Sequence, residues 1–170
     1  MRRLFTCAVL LALALAPSIA RSQSSMSPAM VGVGAHGYDW LIGTWTCKNP
    51  TPSAMSGPAV TTLTVARNGA GALSVHTTGT NFDGLGYVVY AAKTKTWWNP
   101  SVLATGDYST ESSQQTGKKT LWAGTYYSAG KSNAIRDTYT MTTMTSFKDL
   151  SEAQVNGAWK TEANSTCTKS

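Results

Sequence analysis

Histidine, acid and cysteine are all scarce in this 170-residue chain, which has two histidines, eight Asp+Glu and three cysteines. A metal centre needs several His, Cys or carboxylate groups converging at ligand spacing, and the sequence offers no such cluster. His36 stands at the edge of a Ser/Gly-rich lead-in and reads as solvated. His76 falls opposite the Leu73/Val75 side of a strand pattern and reads as a surface or hydrogen-bonded structural residue. Nucleophilic hydrolysis lacks its parts as well. There is no Gly-x-Ser-x-Gly elbow, and Asp83, in the turn-like Asn81-Phe82-Asp83-Gly84, reads as an acceptor of local backbone hydrogen bonds rather than as a partner of His76. Gly69-Ala70-Gly71 has neither the Lys-Ser/Thr nor the following helix of a phosphate-cradling loop. A carboxylate pair of the glycosidase kind has only eight acids to draw on, most of them turn-like in context. Lys118-Lys119 is the one adjacent basic pair after the first few residues, which argues against nucleic-acid binding. No stretch sustains the 3.6-residue apolar period of a helix.

What is present begins with an export segment. Met1-Arg2-Arg3 supplies the positive start, and Leu4 to Ala16 is an apolar run too short to span comfortably as a membrane helix. Pro17 ends it, and Ser18-Ile19-Ala20 has the small-x-small form of a cleavage site. The expected organisation is a signal peptide at 1–20, a flexible Ser/Gly-rich tether at 21–36 and one folded domain at 37–170. Removing the signal leaves 150 residues with 12 Lys+Arg against 8 Asp+Glu, a net charge of +4. The location this implies is periplasmic or secreted, with no membrane span in the mature form. In that oxidising setting the two remaining cysteines, Cys47 and Cys167, predict a disulfide across most of the domain.

The domain punctuates itself every 8–14 residues, the rhythm of a β-meander. Twenty-five threonines, many beside Val, Tyr or Trp, suit half-exposed strands. The candidate strands are 44–48, 60–67, 72–80, 86–92, 96–99, 102–108, 119–128, 134–145, 152–160 and 165–169, after a short turn at Tyr38 to Leu41. Asn68-Gly69-Ala70-Gly71, Lys93-Thr94-Lys95 and Ala129 to Asn133 read as turns, and Thr110 to Lys118 as a polar loop. Alternation groups Thr61/Leu63/Val65, Leu73/Val75/Thr77, Tyr87/Val89/Ala91, Leu121/Ala123/Thr125 and Ile135/Tyr139/Met141. The opposite stripes, with Val88/Tyr90 and Trp122/Tyr126, are apolar too, so both faces of the sheet meet something. The fold class that satisfies this is all-β, a single antiparallel up-and-down barrel of eight to ten strands with no open edge.

Gly43-Thr44-Trp45, on the first strand, resembles the Gly-x-Trp signature of lipocalin and other calycin barrels, in which the tryptophan plugs the closed end. The longer run Asp39 to Cys47, with Lys95 to Trp98, Arg136 to Tyr139 and the ending Trp159, Cys167, Thr168, Lys169, resembles secreted bacterial lipocalin-like proteins of uncharacterised activity. The resemblance spans about Tyr38 to Lys169. It implies structural roles for Trp40, Gly43, Trp45 and Trp159. Avidin-like and haem-binding nitrobindin-type barrels share Gly-Thr-Trp. Val75-His76 in place of a binding tyrosine and serine speaks against biotin, and the lack of a histidine near the C-terminus speaks against haem. No cofactor and no metal is expected.

The functional reading is a non-enzymatic barrel holding a small hydrophobic or amphipathic molecule, because ligand sites combine apolar walls with a few polar handles and Tyr and Trp supply both. The candidate ligand-binding residues are Tyr87, Trp98, Trp122, Tyr126 and Tyr139, with Arg136 as a handle for an anionic group. Against it stand two other classes: an envelope structural or interaction protein with a filled barrel, and an isomerase or cyclase using the pocket. Core packing is the competing reading for each aromatic, and pairing with an acid or an outer aromatic face the competing reading for Arg136. Nothing in the sequence speaks to oligomeric state.

Overall fold

A computed structural model describes residues 36–52, 57–69, 71–114 and 116–170; the expected export segment and, but for His36, the expected tether lie outside the described residues. One 3-10 turn, Asp39–Leu41, leads into ten strands: β1 (Gly43–Lys48), β2 (Val60–Asn68), β3 (Ala72–Gly79), β4 (Phe82–Ala91), β5 (Thr96–Leu103), β6 (Tyr108–Ser113), β7 (Lys119–Ser128), β8 (Lys131–Thr143), β9 (Ser146–Val155) and β10 (Ala158–Lys169). Each strand pairs antiparallel with its neighbour in sequence, and β1 pairs with β10, so the meander closes into a barrel. Closure leaves no unpaired ribbon edge. The all-β, up-and-down architecture is the one the threonine-rich alternation predicts.

The reversals follow the residues that tolerate positive φ. Asn156 (φ 53°) and Gly157 (φ 80°) join β9 to β10, and Ala129 (φ 48°) and Gly130 (φ 75°) join β7 to β8, the backbone state that two-residue hairpins require. Residues 165–169, expected as a separate strand, are the end of β10, and Phe82 to Gly84, expected in a turn, open β4; three further boundaries move. Residues 152–160, expected as one strand, straddle the Asn156-Gly157 reversal. Residues 96–99 and 102–108, expected as two strands, are instead β5, running through Pro100, and the start of β6. Pro100 offers no N–H, and the β4–β5 ladder has a matching gap at Tyr87 and Val88 with its register unchanged on either side. The third is the expected polar loop at 110–118, whose first part is the body of β6, Glu111 included.

The Cys47–Cys167 disulfide is present, its two residues directly opposite one another in the β1–β10 ladder with Cα atoms 3.9 Å apart. That ladder has four register pairs, against ten between β7 and β8. The covalent link thus reinforces the shortest seam of the barrel.

One end of the barrel is plugged. Tyr38 and Leu41, flanking and within the 3-10 turn, are buried with Trp45, Trp97, Trp122 and Phe147. Trp45 Nε1 donates to the Leu41 carbonyl at 2.7 Å. Tyr38 meets Trp97 edge-on with ring centres 4.8 Å apart, and Trp45 meets Phe147 in the same way at 5.0 Å, the arrangement aromatic quadrupoles prefer. Asp39 anchors the turn by pairing with Arg67 of β2 and with His36. The Lys169 ammonium lies 5.0 Å over the Trp45 ring. Trp40 packs beside Trp45, with ring centres 6.3 Å apart.

Candidate functional site

Inward-facing residues are sorted by size along the barrel axis. Toward the plug they are Trp45, Val65, Leu73, Val88, Trp97, Trp122 and Phe147, all buried. Toward the other end the same strands turn inward small groups: Thr61 on β2, Thr77 on β3, Gly84 and Gly86 on β4, and Ser101 on β5. The later strands do likewise with Ser109, Ser151, Ala163 and Ser165. With these small groups set among the larger Phe82, Leu103, Tyr126 and Ile135, the distal half of the lumen keeps a cavity of about 250 Å³. Gly124 on β7 contributes by bringing strands together, since a Cβ there would lie 1.9 Å from the Thr110 carbonyl oxygen.

Halfway along the axis the lumen turns acidic. Glu111 of β6, Asp137 of β8 and Asp149 of β9 all line the cavity, with Tyr139 directly opposite Asp149 in the β8–β9 ladder. Glu111 is 4 % exposed, and Asn99 donates to its Oε2 at 3.5 Å. Glu111 and Asp137 hydrogen-bond each other, and Asp137 also takes a bond from Ser151. A bond between two carboxyl groups requires a proton on one of them. Burial, then the charge of Asp137, holds the Glu111 carboxyl well above the usual carboxylate range. Burial raises Asp137 too, and burial followed by the Asp137 charge raises Asp149 well above its ordinary value. Burial and the charge of Asp149 push the Tyr139 phenol far up, and burial takes Tyr38, in the plug, to about 12. Glu111 Oε1 and Asp149 Oδ1 are buried without a hydrogen-bond donor.

The remaining acids tell the contrast. Asp39 pairs with Arg67, Asp83 with His76 at 2.8 Å, and Glu152 with Arg136. The His76–Asp83 contact corrects the expectation that Asp83 serves only its own turn: adjacent strands β3 and β4 bring the two side chains together on the outer wall. Asp107 accepts from the Tyr126 hydroxyl at 3.0 Å. No Lys, Arg or His is among the described residues lining the cavity.

The candidate residues divide by which side of the wall they occupy. Tyr126 and Tyr139 line the lumen, Tyr126 near its mouth. Trp122 points inward but is fully buried in the plug-side core, 5.1 Å from Tyr38. Tyr87 and Trp98 face outward, 47 % and 48 % exposed. Arg136 faces outward as well, binding Glu152 through Nε (2.6 Å) and Nη2 (3.0 Å) with its guanidinium 4.3 Å over the Trp159 ring. The lumen therefore gathers two of the six candidates, and the guanidinium is engaged in a bidentate pair elsewhere.

The three lumen acids were not among the candidates. Glu111 sits in TESSQQTGK, whose polarity reads as loop, and Asp137 and Asp149 are single acids within strands. The signal that marks them is an acid on an otherwise apolar inward stripe, as in Ile135-x-Asp137-x-Tyr139 and Phe147-x-Asp149.

No protein-family model matches this chain, and no curated protein matches it. Among the described residues, no group of three or more His, Cys, Asp and Glu is placed to hold a metal ion, and no helix is long and apolar enough to cross a membrane.

Proposed function

We propose that this chain is an exported, lipocalin-like binding protein that holds a small amphipathic molecule in the distal half of its barrel. One observation carries the reading: a barrel that fills one half of its lumen with three tryptophans and a phenylalanine leaves the other half hollow, with Gly, Ser, Thr and Ala residues set among the larger Phe82, Leu103, Tyr126 and Ile135 in its wall. A barrel whose interior served only as a core would be packed to crystal-like density throughout. The hollow half is apolar on the β2–β3 side, with Leu63 and Val75, and polar on the β6–β9 side, the mixture of wall and handle that suits an amphipathic guest. Tyr126 and Tyr139 are the candidate residues that a guest would touch. Gly43-Thr44-Trp45 at the plugged end supports the lipocalin-like assignment, and the Cys47–Cys167 disulfide supports export.

A second reading has its own support. Leu85, Tyr87, Trp98, Val102 and Tyr108 are exposed side by side on the outer wall of β4, β5 and β6, and exposed apolar patches mark interaction surfaces. Native mass spectrometry of the gently purified mature protein separates the two. The lumen reading expects a small-molecule adduct that Thr77→Phe, which fills the cavity, abolishes. An adduct-free protein that captures no small molecule from extracts, with Thr77→Phe unchanged in behaviour, would end it in favour of the surface.

A further inference from the structure

We infer that the lumen takes an organic cation, a small amine or amidine on an apolar body, seated against Glu111, Asp137 and Asp149. The inference deepens the lumen reading and rests on it.

The first ground is the distribution of charge. Five of the eight acids line one cavity, Glu111, Asp137 and Asp149 in its depth and Glu152 and Glu162 toward its mouth, and that cavity contains no basic side chain among its described lining residues. Outside the deep three, Asp39, Asp83 and Glu152 pair with basic groups and Asp107 with Tyr126. Burying ionised carboxyl groups without a counter-charge is costly, so the ligand-free fold keeps these groups protonated, and a cationic guest is the alternative source of positive charge.

The second ground is geometric. Glu111 Oε1 and Asp149 Oδ1 are buried acceptors with no donor, on β6 and β9, which lie on either side of the β7–β8 pair and face the same hollow. An ammonium or amidinium has several N–H donors and no acceptor, so it satisfies such atoms without adding an unmet one. The third ground is the wall beside them. Tyr139 and Phe147, with ring centres 5.7 Å apart, both line the cavity, and aromatic faces attract desolvated cations. The carboxyl groups are not grouped as metal ligands, which leaves a cation large enough to reach several of them. Because the fold already buries Glu111 and partly buries Asp137 and Asp149, part of their desolvation precedes the guest, as in any preorganised site.

Protons are the guest's competitors. Glu111 faces the lumen from β6, Asp137 and Tyr139 from β8, and Asp149 from β9; Tyr38 approaches from the plug, and Asp107, Tyr126, Glu152 and Glu162 lie toward the mouth. Apart from Glu162, β1 and β10 present the disulfide and small residues; Tyr108 of β6 also borders the cavity, and β2 to β5 present no titratable group to it. With Glu111 and Asp149 holding protons above the ordinary carboxylate range, entry of a cation releases protons, and affinity rises with pH while the amine stays charged.

The test is isothermal titration of the ligand-free mature protein with 2-phenylethylamine, and with 2-phenylethanol as its neutral match, at pH 6 and pH 8. The expected result at pH 8 is binding of the amine at least tenfold tighter than the alcohol, weakening at pH 6. Proton release should appear as a dependence of the heat on buffer ionisation enthalpy. Asp149→Asn and Glu111→Gln, which keep shape, should cut the preference about tenfold while leaving alcohol binding in place. Equal binding of amine and alcohol, both blocked by Thr77→Phe, overturns the cation inference and leaves the lumen reading standing. Amine binding that Thr77→Phe does not touch overturns both, and binding of neither probe overturns the cation inference.

Discussion

Replacing Glu111 by Gln, or Asp149 by Asn, should stabilise the ligand-free barrel at neutral pH and flatten its pH dependence. Both carboxyl groups have folded-state pKa values above their unfolded ones, chiefly through burial. Below about pH 4 they carry protons in both states. As pH rises from there, the unfolded chain releases them while the folded barrel keeps them. The folded state then binds more protons than the unfolded state, so unfolding free energy falls with pH until the folded-state pKa is passed. Each group that differs by one proton contributes a slope of at most about 1.4 kcal/mol per pH unit. Asp39, Asp107 and Glu152 act in the opposite sense, with pKa values lowered by their partners, so their contribution is present above the unfolded pKa and lost as pH falls. They stand at the surface, where water screens such pairs to small values. Between pH 5 and pH 7 the lumen acids therefore set the sign, and stability of the wild type declines. Urea unfolding of oxidised, ligand-free protein at pH 5, 6 and 7, followed by tryptophan fluorescence, reads this directly through buried Trp45, Trp97 and Trp122. A wild type whose stability rises with pH across this window, or variants that keep the full wild-type slope, would show that these carboxyl groups are not held protonated by the lumen.

Three further outcomes follow from the wall and the seam. Replacing Cys47 and Cys167 together by Ala should cost roughly 4–5 kcal/mol in urea unfolding, the loop-entropy value for a 120-residue separation. Hydrogen exchange should then quicken first in β1 and β10, where the ladder is shortest. Trp45→Ala, in the sealed plug, should cost about 3–5 kcal/mol, whereas Trp98→Ala, half exposed on the outer wall, should cost about 1 kcal/mol or less in the same assay. Arg136→Ala should leave amine titration of the lumen unchanged, because the guanidinium is bound to Glu152 and Trp159 outside the wall; a tenfold loss would place Arg136 at the guest.

The closed meander was legible because its cues are local. Threonine-rich alternation and glycine-marked reversals each constrain the backbone without reference to the rest of the chain, and the Cys47–Cys167 pair adds one long-range link between its ends. The site was less so, for two physical reasons. Strands β4 and β7 are apolar on both faces: Tyr87 and Val89 alternate with Val88 and Tyr90, and Leu121 with Trp122. Alternation then separates the faces without saying which is inside, and the Tyr87 and Leu121 stripes turned out to face solvent. The second reason is Glu111. Its neighbours Ser109, Thr110, Ser112 and Ser113 have the composition of a loop, and only pairing with β5 and β7 makes them a strand. Asn156-Gly157 is the counterexample, a strong two-residue hairpin signal that lay in plain sight inside residues expected as one strand. The size gradient of the lumen belongs to neither category. It is visible only when the inward residues of all ten strands are aligned along a common axis.

The most direct test is the response of the lumen glycines to an amine. Gly84, Gly86 and Gly124 face the hollow or its wall, while Gly69 and Gly130 sit in outer turns with open space around them. In a backbone amide NMR titration of the mature protein with 2-phenylethylamine at pH 8, resonances of the three lumen glycines should shift in saturable fashion and the two turn glycines should not. Shifts confined to residues of the outer β4–β6 patch, with the lumen glycines unmoved, would contradict the account.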